Sequence, residues 1–190
     1  MAWIPSLARK IRSKNWLTIT RNLARAALTA LGIFATAPVF FGDTALARGP
    51  SVIAGESPGT IVVSTSARRL YLITGNGTAI SYPVGVGRLG KQWAGTSYIN
   101  GKYRNPAWSP PAEIRRDRPG LPYVIPGGSP RNPMGVAAMT LADGEYAIHG
   151  TNAPGSIGGF VSYGCIRMHN RDILDLYERV GVGTRVVVKR

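Results

Sequence analysis

The segment RRLYLITGNGTAISYPVGV, residues 68–86, constrains the fold more than any other part of this chain. Apolar and polar residues alternate through RRLYLIT, the period-two pattern of a half-buried strand. Gly75-Asn76-Gly77 then supplies residues that tolerate the positive φ of a tight hairpin, and TAISYPVGV returns as a second strand. The chain therefore begins as an antiparallel sheet. TIVVST, residues 60–65, is β-branched and reads as a strand beside it.

The same signals recur downstream. AAMTLA and EYAIHG flank Asp143-Gly144, a second hairpin signal that puts His149 at a strand end, and TRVVVKR closes the chain as a strand. Only NRDILDLYERVG, residues 170–181, has helical spacing: Ile173, Leu176, Tyr177 and Val180 share a face. Asn170 is expected to cap it, Asp172 to favour its first turn and Gly181 to end it in the left-handed conformation. Between Asn100 and Asn132 prolines and glycines recur, which predicts a long ordered loop, a length usually associated with function. The fold class expected is mainly β with one helix, and no internal repeat is visible.

The first 47 residues have a different character. Arg9, Lys10, Arg12, Lys14, Arg21 and Arg25 precede the run AALTALGIFATAPVFFGDTALA, which ends in Ala45-Leu46-Ala47. Basic start, apolar run and small-residue end are the three parts of a signal peptide. The apolar run before Pro38 is about 12 residues, short of the roughly 20 that span a bilayer, although an uncleaved anchor reaching Phe41 is the alternative. Cleavage after Ala47 leaves 143 residues, enough for one domain with its own core, preceded by a Gly/Pro/Ser-rich flexible lead over 48–58. That domain holds 17 Lys and Arg against 8 Asp and Glu, a net charge of +9. For an exported protein this charge suits an anionic envelope polymer better than nucleic acid, or is simply a soluble basic surface.

Two apparent motifs fail on context. GVGRLG, residues 85–90, matches GxGxxG, and the overlapping GVGRLGKQ nearly matches a phosphate loop. Both need a helix immediately afterwards, whereas KQWAGTSYI reads as turn and strand, with Gln92 where a magnesium-holding Ser or Thr belongs. Two histidines, one cysteine and no dense carboxylate cluster give no metal site. No metal and no organic cofactor is expected.

Cys165 is the only cysteine in 190 residues. A lone thiol in an oxidising compartment has no structural partner and is exposed to oxidation. It is either a small buried hydrophobe or a nucleophile. Ser162-Tyr163-Gly164 before it and the helix after it place it in a turn, where backbone N–H groups lower a thiol's pKa and cradle an oxyanion. His149, at its strand end before Gly150-Thr151-Asn152, is a candidate base or a packing histidine. His169, four residues beyond Cys165, is the rival.

IHGTNAPGSIGGFVSYGCIRMHNRDILDLYERVGVGTRVVV strongly resembles the catalytic domain of the L,D-transpeptidases, the YkuD family, which carries a histidine followed by glycine and then Ser-His-Gly-Cys with a following Arg and Asn. RRLYLITGNGTAISYPVGVGRLGKQWAG, PAWSPPAEI, YVIPGG and NPMG extend the resemblance over about Gly59 to Val188. It implies a β-sandwich-like catalytic domain over 59–190, with the one helix after the catalytic cysteine, acting in the periplasm or cell envelope. It also implies attack by Cys165 on the third residue of a peptidoglycan tetrapeptide stem, release of D-alanine, and transfer of the thioester's acyl group to an amine. The acceptor is another stem or an envelope protein, and no membrane span remains after the signal is removed.

By the same resemblance His149 is the base and the Gly150 carbonyl orients it. Backbone N–H groups of Gly164 and Cys165 hold the oxyanion. Arg167 meets a stem carboxylate, with Tyr163 and Ser162 lining the substrate site and Asn170 supporting the loop or capping the helix. The chain departs from the family at Tyr163, where the pattern has histidine. A phenol with an ordinary pKa near 10 is no base at neutral pH, so activity rests on His149. A hydrolase transferring the acyl group to water, and a catalytically silent wall-binding protein, stay open as alternatives.

Overall fold

A computed structural model of the chain describes residues 53–75, 77–142 and 144–190. The signal-peptide reading, and the central residues Asn76 and Asp143 of the two hairpins, lie outside the described residues. Nine strands follow in order: β1 (Ile61–Ser64), β2 (Arg69–Gly75), β3 (Thr78–Gly87), β4 (Gly95–Arg104), β5 (Ala137–Leu141), β6 (Ala147–His149), β7 (Phe160–Ser162), β8 (Ile166–Met168) and β9 (Arg185–Lys189). Two α-helices, α1 (Ala112–Asp117) and α2 (Asn170–Arg179), and a short 3-10 helix at Pro154–Ser156 complete the description, and α2 is the one long helix expected.

The strands form a β-sandwich whose two sheets share β3 and β4. β3 pairs with β2 from Thr78 to Pro83, then turns to β8 from Val84. Proline there removes one ladder donor where the strand changes partner. β4 pairs with β9 as far as Tyr98 and with β5 from Ile99, with an irregularity between Ile99 and Gly101. Bends of this kind make the corners where strands switch sheets. The first hairpin is β2–β3 and the second β5–β6, both antiparallel.

Alternation fills the space between the sheets. Ile61, Val63, Leu70, Val84, Val86, Ile99, Met139, Ile148, Ile166 and Met168 are fully buried there, joined by Ile173 and Leu176 of α2. Complete burial of such side chains is worth roughly 1.5–3 kcal/mol each, an upper bound for a compact unfolded reference. Val62, Tyr71 and Ile73 face the other way, and Ile53 covers them. Ile61, Val62 and Val63 do not alternate with polar residues because β1 is buried on both faces. The far end of the expected flexible lead is docked: beyond Ile53, Glu56 pairs with Arg185 at 2.6 Å and Lys189 at 2.9 Å.

Both ends of α2 differ from expectation. His169 is the N-cap and makes no side-chain cap bond, while Asn170 is the first helical residue and its Oδ1 accepts the Thr151 N–H at 2.9 Å. At the far end Val180 is extended and Gly183, not Gly181, has positive φ. The Lys102 ammonium donates to the carbonyls of Tyr177 and Val180, each at 2.6 Å, and so meets the negative end of the helix.

The proline-rich stretch is ordered, although β4 runs to Arg104 before it begins. A single bridge joins Trp108 to Ile125. Asn132, 1% exposed, donates from Nδ2 to the carbonyls of Pro106, Ile125 and Pro126 at 2.8, 3.2 and 3.0 Å, and its Oδ1 accepts the Met134 N–H at 2.9 Å. Asn132→Asp keeps the shape but aims an anion at three carbonyl oxygens. It should lower stability by about 2–4 kcal/mol, read as a fall in the urea midpoint, because a buried donor is lost and a charge is left unpaired.

Candidate active site

Cys165 lies between β7 and β8 in a turn built by Ser162. Ser162 is buried, and its hydroxyl donates to the Cys165 carbonyl at 2.6 Å while accepting the Gly164 N–H at 3.1 Å. The Ser162 side chain therefore braces the turn from inside instead of lining the substrate site. The Gly164 N–H expected to hold an oxyanion is already engaged, which leaves that of Cys165 as the candidate donor. Gly164 has φ of +122°, and a Cβ at this position would collide with the Tyr146 ring. Its carbonyl accepts the Trp93 indole N–H at 2.9 Å, and Trp93 stacks on Tyr146 with centroids 5.1 Å apart. An aromatic pair thus supports the thiol-bearing turn.

The register of β6 and β8 sets which groups meet. The two strands are parallel, with Ile148 beside Ile166 and His149 beside Arg167. Ile148 and Ile166 point into the core, so period two sends His149, Cys165 and Arg167 to the opposite face. Cys165 and His149 are diagonal on that face, a separation of about 7–8 Å for such positions. In this structure they are not hydrogen-bonded to each other. The thiol donates to the Glu145 carbonyl at 3.9 Å, and His149 Nδ1 donates to the Gly150 carbonyl at 2.6 Å, as expected for an orienting group. That bond leaves Nε2 carrying the lone pair.

Burial keeps both groups neutral. His149 is 3% exposed, and burial, then the nearby Arg167 charge, lower its pKa to about 4 against the pull of the Gly150 and Pro133 carbonyls. Burial also raises the thiol's pKa, opposed by the Ala147 N–H and Arg167 and assisted by Glu145. The resting pair is thiol and imidazole, not thiolate and imidazolium. For such a pair to serve as nucleophile and base, a proton would have to leave the thiol as the sulfur attacks.

Tyr163 sits outside this pair. Its hydroxyl donates to Asp117 Oδ2 at 2.5 Å, and the Arg88 guanidinium lies 4.0 Å from its ring centroid while pairing with Asp117 at 2.9 Å. The hydrogen bond from Tyr163, then Arg88, lower the Asp117 pKa, and the same bond raises that of the phenol. Tyr163 is therefore protonated at neutral pH and ties the turn to α1, which Lys91 also holds through Glu113. α1 has no buried residue, so these polar contacts carry its attachment.

Two cavities flank Tyr163. The larger, about 980 Å³, is lined by Cys165, Tyr163, Tyr146, Trp108 and Met134. The smaller, about 330 Å³, holds Arg167 behind Tyr163 and Trp108. His169 lines neither; with Asn152 and Arg171 it borders a third cavity of about 690 Å³. The rival base is separated from the thiol because β8 ends at Met168 and the chain turns into α2. GVGRLG forms the end of β3 and a turn into β4, with no helix behind it.

Fold and site together define a mainly β domain with a thiol in a cleft and a buried imidazole on the same sheet face. The L,D-transpeptidase catalytic domain (YkuD) matches residues 58–188, and the chain belongs to this family. Over 136 residues it is 43% identical to the Escherichia coli K12 protein named probable L,D-transpeptidase YbiS, covering 67% of this chain and 43% of the relative. The Salmonella typhimurium protein ErfK/SrfK, of the same printed description, is 42% identical over 137 residues, with the same coverages. The match thus spans less than half the length of these relatives. Among solved structures, Mycobacterium tuberculosis L,D-transpeptidase 3 is 18% identical, with a TM-score of 0.53 over 69% of this chain and 60% of that one. A mutant Enterococcus faecium L,D-transpeptidase, also 18% identical, has a TM-score of 0.55 over 70% and 50%. At such identities the likeness concerns the fold.

Trp93, Tyr146, Asp117 and Asn132 were not singled out from sequence. Trp93, a lone large aromatic in the turn KQWAG, was the available signal; Tyr146 stacks on Trp93 and Asp117 accepts from Tyr163, both far apart in the chain, while Asn132 bonds within its own loop.

His149 also couples pH to stability. Its folded pKa lies below its ordinary value, so between about pH 6.5 and 4 the unfolded chain binds the extra proton. Stability present above pH 6.5 is lost as pH falls towards 4, by at most about 3 kcal/mol. Urea midpoints should fall over that interval in the wild type, and His149→Gln should lack this component.

Proposed function

We propose that this protein is a peptidoglycan L,D-transpeptidase working through a Cys165 thioester. Cys165 Sγ attacks the carbonyl of the third stem residue while His149 Nε2 takes the thiol proton. The Cys165 N–H stabilises the oxyanion. As the tetrahedral intermediate collapses, the bond to D-alanine breaks and His149 returns the proton to the leaving amine. An acceptor amine from a second stem or an envelope protein then attacks the thioester, gives its proton to His149, and restores the thiol. Gly150 holds the imidazole through its carbonyl, Arg167 contacts the substrate, and Tyr163 forms a wall of the site.

The observation that supports this reading most is the shared face of β6 and β8, which carries a thiol opening on a cavity and a neutral buried imidazole oriented by a backbone carbonyl. Closing the diagonal gap takes a side-chain rotation when substrate arrives; apo geometry is often looser than the reacting one. The proposed location is the envelope, with residues 1–47 removed as a signal and 48–58 leading into the domain. N-terminal sequencing of the protein from that fraction checks this, and retention of residues 1–40 would favour an anchor.

Incubating the protein with disaccharide tetrapeptide should release D-alanine and give cross-linked product by mass spectrometry, with neither from Cys165→Ala. Free tripeptide alone would make it a hydrolase, and no reaction a silent wall-binding protein. A carbapenem should add once to the wild type and not to Cys165→Ala.

The residue roles separate by rate. Tyr163→Phe loses one exposed hydrogen bond, so it and Tyr163→His should acylate within about tenfold of wild type, roughly 1.4 kcal/mol of barrier. His149→Ala should lose about 10² to 10⁴, as for a missing general base, and His169→Ala should be unaffected. A fast His149→Ala beside a crippled Tyr163→Phe or His169→Ala would reassign the base.

A further inference from the structure

The two cavities flanking Tyr163 differ in charge. The one containing Cys165 is lined by both signs, including the Lys91–Glu113 pair, Arg115 and Glu145. The smaller one is lined by Arg118, Arg131 and Arg167 and by no Asp or Glu. Its remaining walls include Trp108, Leu121 and Ile125, apolar surface beside the half-buried Arg167, while Arg118 and Arg131 are exposed at its rim.

The three arginines also lack the partners that others have. Arg88, Arg104, Arg171, Arg179 and Arg185 are each paired with a carboxylate. Arg167 is half-buried and donates from Nη1 to Ser156 Oγ at 3.1 Å, but its Nε is buried without a partner. Among the described residues, the side chains of Arg118 and Arg131 make no hydrogen bond or ion pair. Positive groups gathered without a counter-ion repel one another, and an orphaned buried donor costs free energy until something accepts from it. Both deficits are met by one ligand group, a carboxylate held bidentately by a guanidinium fork.

Resting on the transpeptidase reading above, in which Arg167 already meets a stem carboxylate, we propose that Arg118 and Arg131 of the long loop complete a carboxylate-binding subsite with it and select the stem peptide beside Cys165. Arg167 lies two residues from the thiol on the same face of β8, and the cavity meets the thiol cavity across Tyr163, Trp108 and Ile114. A peptide held here by its carboxylate presents a neighbouring carbonyl to the sulfur. Two carboxylates on the residues flanking the scissile bond of a diaminopimelate-containing tetrapeptide have this chemistry: that of the terminal D-alanine and that of the diaminopimelate side chain. Arg118 and Arg131 come from the long loop, so selectivity is carried by a segment separate from the thiol and imidazole.

Calorimetric binding to the full chain carrying Cys165→Ala tests this without requiring turnover. Three tetrapeptides serve as probes: both carboxylates free, the D-alanine end amidated, and the diaminopimelate side chain amidated. One amide should bind about tenfold or more weakly than the free acid, and that amide identifies the carboxylate read. Adding Arg118→Gln with Arg131→Gln, both exposed positions, should weaken the free acid by a similar factor and leave that amide almost unchanged. Equal binding of all three peptides, no binding at millimolar concentration, or an equal loss for all three in the glutamine variant would overturn the subsite. If the wild-type chain turns over no stem peptide while discrimination between acid and amide persists, the transpeptidase reading fails and the subsite stands. Turnover without discrimination gives the reverse.

Discussion

Everything at the site depends on the parallel pairing of two three-residue strands, β6 and β8. A parallel pair cannot be joined by a tight turn, so the chain must leave β6 after His149 and travel through residues 150–165 before it can lie beside itself. That crossover is fixed at both ends. Asn170 accepts the Thr151 N–H where it starts, and Ser162 closes the turn at Cys165 where it finishes. Along the way β7 pairs in parallel with β3. A slip of one residue in this register would exchange the faces, sending the thiol into the core and Ile166 into the cleft.

The same pairing decides the electrostatics. Packing His149 against the sheet with an arginine beside it removes its tendency to be charged, and packing the thiol in the same layer removes the thiolate. Two neutral groups cost far less to bury than an ion pair in poor geometry. The Gly150 carbonyl fixes which imidazole nitrogen keeps its hydrogen. The layer's thiol and imidazole are thus neutral at rest.

Around this layer the structure is held by polar contacts. The stretch from Asn105 to Val136 contributes Trp108, Ile114, Arg118 and Arg131 to cavity walls, yet its shape follows largely from one buried side chain, Asn132. α1 is attached through Asp117 and Glu113. The Asp117 anchor includes Tyr163, the residue that stands where the family pattern has histidine, and there the phenol joins the turn to α1 at a distance an imidazole would span differently.

The sequence by itself determined β1 to β6, β9, the two hairpins and the single long helix, because alternation, turn residues and helical spacing are local properties of the chain; the three-residue strands β7 and β8 are too short to show a period, and His149 was joined to Cys165 only by the resemblance to the family. It also carried the family, through a motif whose spacing is set by the crossover. Only the tertiary structure decided that Asn170 holds the Thr151 loop and does not cap α2, that Ser162 faces inward, and that the Gly164 N–H is engaged. The Asn170 partner lies 19 residues away; Ser162 and Gly164 bond within their own turn, whose orientation is set by the distant strands that β7 and β8 pair with. The clustering of Arg118 and Arg131 with Arg167 has the same origin: residues 36 and 49 positions from Arg167 meet because the loop folds over β8, a relation that no local pattern encodes.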